Sequence, residues 1–441
     1  MNRKLSLFPL NSSVNASGRL MFGKHSAVHL ARLFGTPLYV YDIGTIRHNI
    51  KVYQASLQKY AGEAQLTYAS KAFLCLALAR LMTEENVGLD VSSAGEIFIA
   101  ERAGAPAANM HLHGNNKSWR DLEAALQAGV GRFVADNPTE LERLVQLTAG
   151  RPQPVDIWLR VTPDVRVETH HRFTVTGTAD SKFGLPLAQV ETVAAQILTD
   201  PRFETLRLTG LHVHLGSHFH DVEPVAVAIE RLLVVANSLR EKYGWHLAEL
   251  CPGGGWGVPY HPTDPPMPPA PFVTGLVAAV EQLCAANRLP LPKLILEPGR
   301  SLVAQAGVAL YTVGSRKTIP NGRTYVSVDG GLADNPRPAL YQARYTALLA
   351  NRAAEPETET VAVAGPFCES GDILIDEVQL PPAQPGDVLA APVAGAYQLS
   401  MSSNYNAALR PAVVFLDENG VKLVQRRETV EDLIRRDVGS N

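Results

Sequence analysis

The sequence predicts an α/β chain: a (β/α)8 TIM barrel joined to a smaller, mainly β domain. Three observations carry this. From residue 66 to residue 299, short apolar and often β-branched runs alternate with longer segments of helical spacing. The strand-like runs number eight, the count at which strands and helices close into a barrel. Reactive side chains stand at the ends of nearly all of them, where a barrel places its active residues. An open doubly wound sheet also fits the alternation, but the count and the polar strand ends favour closure.

The eight candidate strands are 66–71, 87–91, 109–113, 132–135, 155–161, 208–215, 248–252 and 293–297. Helical segments between them include 118–128, 139–148 and 222–242. In 118–128, Trp119, Leu122, Ala125 and Leu126 fall at helical spacing and Ser118 is placed to cap. Thr139 with Glu142 three residues later reads as a capping box. After residue 305 the helical period fades. Runs at 325–329, 360–364, 388–393, 411–416 and 421–426 read as strands between Gly and Pro turns. The strand-like 38–41 assigns the first residues to the same domain. The expected boundaries are therefore 46–305 for the barrel, and 1–45 with 306–441 for the β domain. Residues 259–271 hold seven prolines and read as a stiff irregular loop between strand seven and its helix, not a domain linker. No internal repeat is visible.

Composition excludes several classes. Of 441 residues, 46% are hydrophobic and 19% charged, too apolar a balance for a disordered chain. The net charge of −3 gives no electrostatic case for nucleic acid or an anionic membrane as partner. No uninterrupted apolar run approaches the ~18 residues of a membrane span. The opening segment is too short and is broken by Pro9, so no export signal is expected. Cys75, Cys251, Cys284 and Cys368 lie far apart, which suits a reducing, cytoplasmic setting better than a disulfide scaffold.

The strand ends carry the chemistry. Strand one ends in Lys71, strand two near Asp90, strand three in His113 and strand six in His214, and strand five passes Arg160. Strand seven runs into Gly253-Gly254-Gly255, and strand eight into Glu297-Pro298-Gly299-Arg300. A lone lysine is ordinarily a surface group. In this company Lys71 reads as an amine able to form a Schiff base with a carbonyl. The glycines after strands seven and eight suit phosphate, because backbone N–H groups approach closely where no side chain intervenes. Arg300 adds charge-assisted bonds. Two other phosphate signals fail. Residues 253–258 do not satisfy G-x-G-x-x-G, and 18–24 is followed by His25, where a P-loop has Ser or Thr.

His212 and His214 share a strand face and raise a metal-dependent hydrolase as a rival, but the carboxylate set around them is incomplete, and no metal is expected. His218 and His220 read as packing and surface. Cys368, in Gly365-Pro366-Phe367-Cys368-Glu369-Ser370-Gly371-Asp372, lies among acidic and turn-forming residues that suit a loop. A Schiff-base lysine, a phosphate pocket and a carboxylate at the end of strand eight together imply pyridoxal 5'-phosphate. Glu297 would keep its ring nitrogen protonated, and His214 would supply a flat ring to stack on it.

The segments 68–72, Asp180-Ser181-Lys182-Phe183-Gly184, His214-Leu215-Gly216-Ser217, 253–255 and 297–300 resemble fold-type III pyridoxal-phosphate decarboxylases. Arg337-Pro338-Ala339-Leu340-Tyr341, 365–372, Gly395-Ala396-Tyr397, 401–406 and Arg426-Arg427-Glu428-Thr429 resemble the diaminopimelate decarboxylase family. The resemblance covers nearly the whole chain, in the family's order. It implies an alanine-racemase-like barrel, a C-terminal β domain and a homodimer with shared active sites. The implied reaction converts meso-2,6-diaminopimelate to L-lysine and carbon dioxide. The resemblance assigns Lys71 to the cofactor aldehyde and His214 to ring stacking. Ser217 and Gly255 fall to the phosphate region, and Glu297 to the ring nitrogen, with Gly299, Arg300 and Tyr397 near the cofactor. Arg300, Arg337 and Tyr341 would meet the substrate's distal carboxylate, with Tyr397 close by, and Glu369 its distal ammonium. Cys368 would be the proton donor, reaching in with Glu369 from the other subunit. His218, Cys251-Pro252 and the proline-rich loop depart from the family's usual pattern. The rivals are another amino-acid decarboxylase of the same fold, of the ornithine or lysine kind, and a non-catalytic homologue. A second carboxylate on the substrate is what gives paired arginines a purpose.

Overall fold

The computed structural model describes residues 3–165, 177, 178 and 180–439. They form two compact units. One comprises Ile50–Gly257 and Met267–Ser301; the other takes the chain through Asn49, Val258–Pro266, and everything from Leu302 onward.

The first unit is a closed barrel. Its strands are β1 (Ala64–Ala69), β2 (Gly88–Val91), β3 (Met110–Leu112), β4 (Arg132–Ala135), β5 (Val155–Thr162), β6 (Leu206–Val213), β7 (Glu249–Cys251) and β8 (Lys293–Leu296). Each pairs in parallel with the next, β8 returns to β1, and β4 pairs with β5. A two-residue strand, Leu185–Pro186, adds to β5. All eight expected strands are present, most shifted by one or two residues. Because the pleat has a period of two, inward positions recur along each strand. Val134, Trp158, Cys251 and Ile295 meet in the barrel's interior. Below them Glu249 closes the floor: it accepts Arg132 Nε–H at 2.6 Å and Trp158 Nε1–H at 2.7 Å.

The helices follow their sequence signals with two corrections. Trp119–Ala128 begins on a complete capping box from Ser118 and Asp121, but Trp119, its first residue, is exposed rather than on the packed face. Pro138–Thr148 is capped by Asn137, not Thr139; Asn137 Oδ1 accepts the Glu140 N–H at 3.1 Å. Pro138 decides this, since its fixed φ and missing N–H suit the first helical position. Helix Pro269–Ala286 takes in the last prolines of the proline-rich run. By length and composition it is apolar enough to cross a membrane. Its buried Phe272, Val273, Leu276, Val277, Val280 and Cys284 recur at helical spacing, the pattern of a helix laid on a core.

The second unit centres on a nine-strand sheet whose main path runs 373–380, 359–364, 324–328, 307–318, 38–42, 412–417, 420–425, with Val388–Ala391 pairing 307–318 and Leu348–Leu349 pairing Val388–Ala391. Strand Leu38–Asp42 joins as expected, antiparallel to Gly307–Thr318 and parallel to Ala412–Asp417. The sequence analysis missed two long strands of this sheet, besides the short Ser12–Val14, Leu20–Phe22, His25–Ser26 and Leu348–Leu349. Gly307–Thr318 is buried on both faces in its first half and exposed on both in its second, so it never alternates. Ile373–Leu380 is an edge strand interrupted by exposed Asp376 and Glu377. Phe8, Leu20, Phe22, Leu30, Val40, Val308, Leu310 and Val414 are among the residues that form this unit's core.

Candidate active site

Parallel strands deliver all their C-terminal ends to one rim. At the end of β1 the chain turns through Ser70–Ala72, and Lys71 projects exposed from that turn. Tyr68 pins the turn: its hydroxyl donates to the Phe73 carbonyl at 2.8 Å and accepts the Phe73 N–H at 3.1 Å. The ends of β8 and β1 lie side by side, where the Ala69 N–H donates to the Pro298 carbonyl at 3.2 Å. A side chain at Gly299 would crowd Ala69 at 3.1 Å.

Glu297 is the electrostatic centre of the rim. It is buried, and burial alone would raise its carboxyl pKa. The charge of His113 and three N–H bonds outweigh that and hold it well below the usual range. Oε1 is bonded by His111 Nδ1 at 3.1 Å and His113 Nε2 at 3.0 Å, and Oε2 by His212 Nε2 at 3.2 Å. His113 and His212 are pushed by different balances. Burial works to lower His113, but Asp90 and Glu297 reverse the sign and raise it. Burial takes His212 down to about 3, so it donates to Glu297 as a neutral ring. Burial likewise raises the Cys251 thiol, and Glu297 adds to the effect. The donor atoms of His111 and His113, or of His212 and Cys251, gather closely enough about Glu297 to surround a metal ion. Here the three histidines are engaged with the carboxylate itself.

His214 lies one residue beyond β6. Burial, then the positive charges of Lys71 and Arg160, push its pKa well down, so the ring is neutral. Its Nδ1 accepts the Gly254 N–H at 3.4 Å. The glycine run is required by close approach. A Cβ on Gly254 would stand 2.1 Å from the Glu297 carbonyl oxygen. One on Gly255, at φ +104°, would stand 2.1 Å from that of Gly216. Ser217 Oγ accepts an N–H of buried Arg300 at 2.9 Å, joining the loops after β6 and β8. Lys71, His214, Ser217, Gly255, Glu297, Gly299 and Arg300 are thus carried by one barrel rim.

The remaining candidates belong to the other unit. Arg337 and Tyr341 bound the short helix Arg337–Tyr341, and Arg337 is buried. Cys368 and Glu369 are exposed in a turn organised by Asp372, whose carboxylate accepts the N–H groups of Leu332 at 2.7 Å and Phe367 at 2.9 Å. The Cys368 N–H donates to Asn406 Oδ1 at 3.0 Å. Tyr397 has φ +59° and precedes Gln398, whose Oε1 accepts the Tyr39 hydroxyl at 2.9 Å.

Sequence reasoning noted His113 and His212 without joining them to Glu297. The signal was available: H-x-H at 111–113 and again at 212–214 places paired rings on one face of a barrel strand, and inside a barrel that face has one destination.

A buried ionised carboxylate, a projecting lysine and a glycine cradle on one barrel rim describe a pyridoxal-dependent enzyme. The family described as "Pyridoxal-dependent decarboxylase, pyridoxal binding domain" matches residues 43–304. The chain is 43% identical to the diaminopimelate decarboxylase of Halalkalibacterium halodurans, over 97% of each chain. It is 42% identical to that of Bacillus subtilis, again over 97% of each. A solved diaminopimelate decarboxylase from M. jannaschii, in complex with L-lysine, superposes with a TM-score of 0.89 at 32% identity, over 98% of both chains. The chain belongs to the diaminopimelate decarboxylase family.

Proposed function

We propose that this chain decarboxylates meso-2,6-diaminopimelate to L-lysine and carbon dioxide with pyridoxal 5'-phosphate as cofactor. The observation that carries the reading is Glu297, a buried carboxylate kept ionised at the rim that also presents Lys71. The residues fit the cofactor. An anionic oxygen suits a protonated ring nitrogen, neutral His214 suits a ring face, and the glycine turns with Ser217 and Arg300 suit a phosphate.

When bound, pyridoxal phosphate supplies an aldehyde that captures amines and a protonated ring that accepts the electron pair released as carbon dioxide leaves. Lys71 is the amine that would hold the cofactor by its aldehyde. Glu297 holds the proton on the ring nitrogen, and its histidines keep it from taking the proton back. Ser217, Gly255, Gly299 and Arg300 retain the phosphate. Arg337, with Arg300 and Tyr341, orients the substrate by its distal carboxylate, and Tyr397 lines the same space. Glu369 binds the distal ammonium. Cys368 delivers a proton from Sγ to the carbon that has lost its carboxylate. The functional unit in this reading is a homodimer, with Cys368 and Glu369 completing the site of the opposite subunit. Its place is the cytoplasm, a reading supported by four unpaired cysteines.

The test is direct. The purified protein loaded with pyridoxal phosphate is assayed for carbon dioxide release from meso-diaminopimelate, L-lysine and L-ornithine. Release from diaminopimelate alone supports the proposal. Efficient release from lysine or ornithine with diaminopimelate inert overturns it.

A further inference from the structure

The proline-rich segment carries a side chain that the proposed chemistry does not use. Residues 258–266 belong to the same unit as Arg337. Asp264 Oδ2 accepts the N–H groups of Tyr260 and His261, both at 2.8 Å, closing the segment on itself. Pro259 and Pro262 fix φ on either side. The product is a stiff loop with one large buried side chain, Tyr260.

The ring of Tyr260 lies 4.7 Å from the guanidinium carbon of Arg337, and that of Tyr345 5.6 Å away. The two rings meet edge to face, centroids 5.3 Å apart. Arg337 donates an N–H to the Tyr345 hydroxyl. Arg337 is 2% exposed, and among the described residues no carboxylate pairs with it. A buried guanidinium is ordinarily compensated by an acid. Here two aromatic rings take that place. Ring faces attract the cation, and the tyrosine hydroxyls accept N–H bonds without bringing the negative charge of a carboxylate. A carboxylate partner would fill the fork and compete with an anionic ligand. The rings also fix the guanidinium plane, and bidentate capture of a carboxylate depends on that plane.

We propose that Tyr260 and Tyr345 are positioning residues that set Arg337 for the substrate's distal carboxylate, which makes the proline-rich loop a specificity element. This rests on the assignment of Arg337 to that carboxylate.

L-lysine and cadaverine separate the two ideas, because L-lysine retains the distal carboxylate and cadaverine lacks it. Inhibition constants for both are measured on holoenzyme, alongside KM and kcat for diaminopimelate. Tyr260→Leu should raise KM and the L-lysine constant by about 5- to 30-fold, with cadaverine unchanged and kcat within about 3-fold. Tyr260→Phe keeps the ring face but loses the hydroxyl that hydrogen-bonds Arg337, so it should lie nearer the parent than Tyr260→Leu does. Tyr345→Phe, which loses only the hydroxyl, should fall between. An unchanged L-lysine constant in Tyr260→Leu, equal weakening of both ligands, or Tyr260→Phe as damaging as Tyr260→Leu each overturns the proposal. If Tyr260→Leu does not fold, Asp264→Ala, which frees the loop but keeps the ring, decides together with Tyr345→Phe. Unchanged discrimination in both overturns it. Arg337→Ala is the control on the underlying assignment. If it leaves discrimination intact, that assignment fails. If it abolishes discrimination while Tyr260→Leu does not, only the positioning role fails.

Discussion

The barrel and the β unit contribute to the proposed site in opposite ways. In the barrel, the reactive groups lie near or just past the C-terminal ends of parallel strands, so the sheet's topology gathers them. Most are buried in a network where charges compensate, as Glu297 shows with its three histidines. In the β unit the candidates ride on a five-residue helix and on turns, and Cys368 and Glu369 are exposed. One unit presents a preset electrostatic environment. The other presents groups whose surroundings within the unit leave their chemistry incomplete. Exposed groups with specific proposed tasks make sense if a second subunit supplies the rest of the pocket.

The largest expected effect tests the barrel side. Lys71→Ala should lower decarboxylation by roughly 10³-fold or more if Lys71 is the amine that takes the cofactor aldehyde. Borohydride trapping of the cofactor, followed by peptide mapping, should label Lys71 in the parent. Label on Lys182 would break the assignment. Next comes the β side. Cys368→Ala should cost on the order of 10²- to 10⁴-fold in kcat if its thiol is the proton donor. Mixed after subunit exchange, Lys71→Ala and Cys368→Ala should regain up to about a quarter of full activity, because half the dimers then hold one intact pocket. Verified exchange without recovery would show that the sites are not shared.

The same contrast explains what was legible in the sequence. The barrel strands could be read because each is short, apolar and followed by a polar end, and parallel topology turns that order into a site. The β unit was legible only in part. Gly307–Thr318 changes from doubly buried to doubly exposed along its length, and no single period describes it. The partners of Arg337 were illegible for a different reason. Tyr260 and Tyr345 are 85 residues apart in sequence, and nothing local announces that a proline-rich loop packs against a helix N-terminus. The histidines around Glu297 were in view but lacked the step from shared face to shared partner.

A smaller effect addresses recognition. Arg337→Ala should lower kcat/KM for diaminopimelate by about 10- to 150-fold, the cost of a lost charge-assisted pair. The proportional loss for a substrate without a distal carboxylate should be far less. Equal losses would mean that Arg337 supports the unit's packing rather than the substrate.

The smallest effect concerns stability and returns to the barrel's network. His113 is held protonated beyond its ordinary range because Asp90 and Glu297 outweigh the cost of its burial. A raised folded pKa means the native state binds this proton more tightly than the unfolded chain does. The resulting stabilisation is fully present below the ordinary histidine value of 6.5 and is lost as pH rises through the folded value. Glu297 has the opposite sign: its depressed pKa stabilises above the ordinary 4.5 and fails as pH falls through the folded value. These two groups together favour a maximum between about pH 4.5 and 6.5, with a decline on the alkaline side owed to His113. His113→Gln keeps an N–H donor for Glu297 but cannot titrate. It should cost about 1–2 kcal/mol near pH 6 and flatten the alkaline decline, measured by urea unfolding of the apoprotein from pH 6 to 9. An alkaline slope identical to that of the parent would place the titration elsewhere and leave His113 a packing residue. The β unit provides the internal contrast. Asp334, pushed up to about 6 chiefly by burial, makes its own loss of stability as pH rises from 3.8 toward 6, so its contribution is spent before His113 begins to titrate.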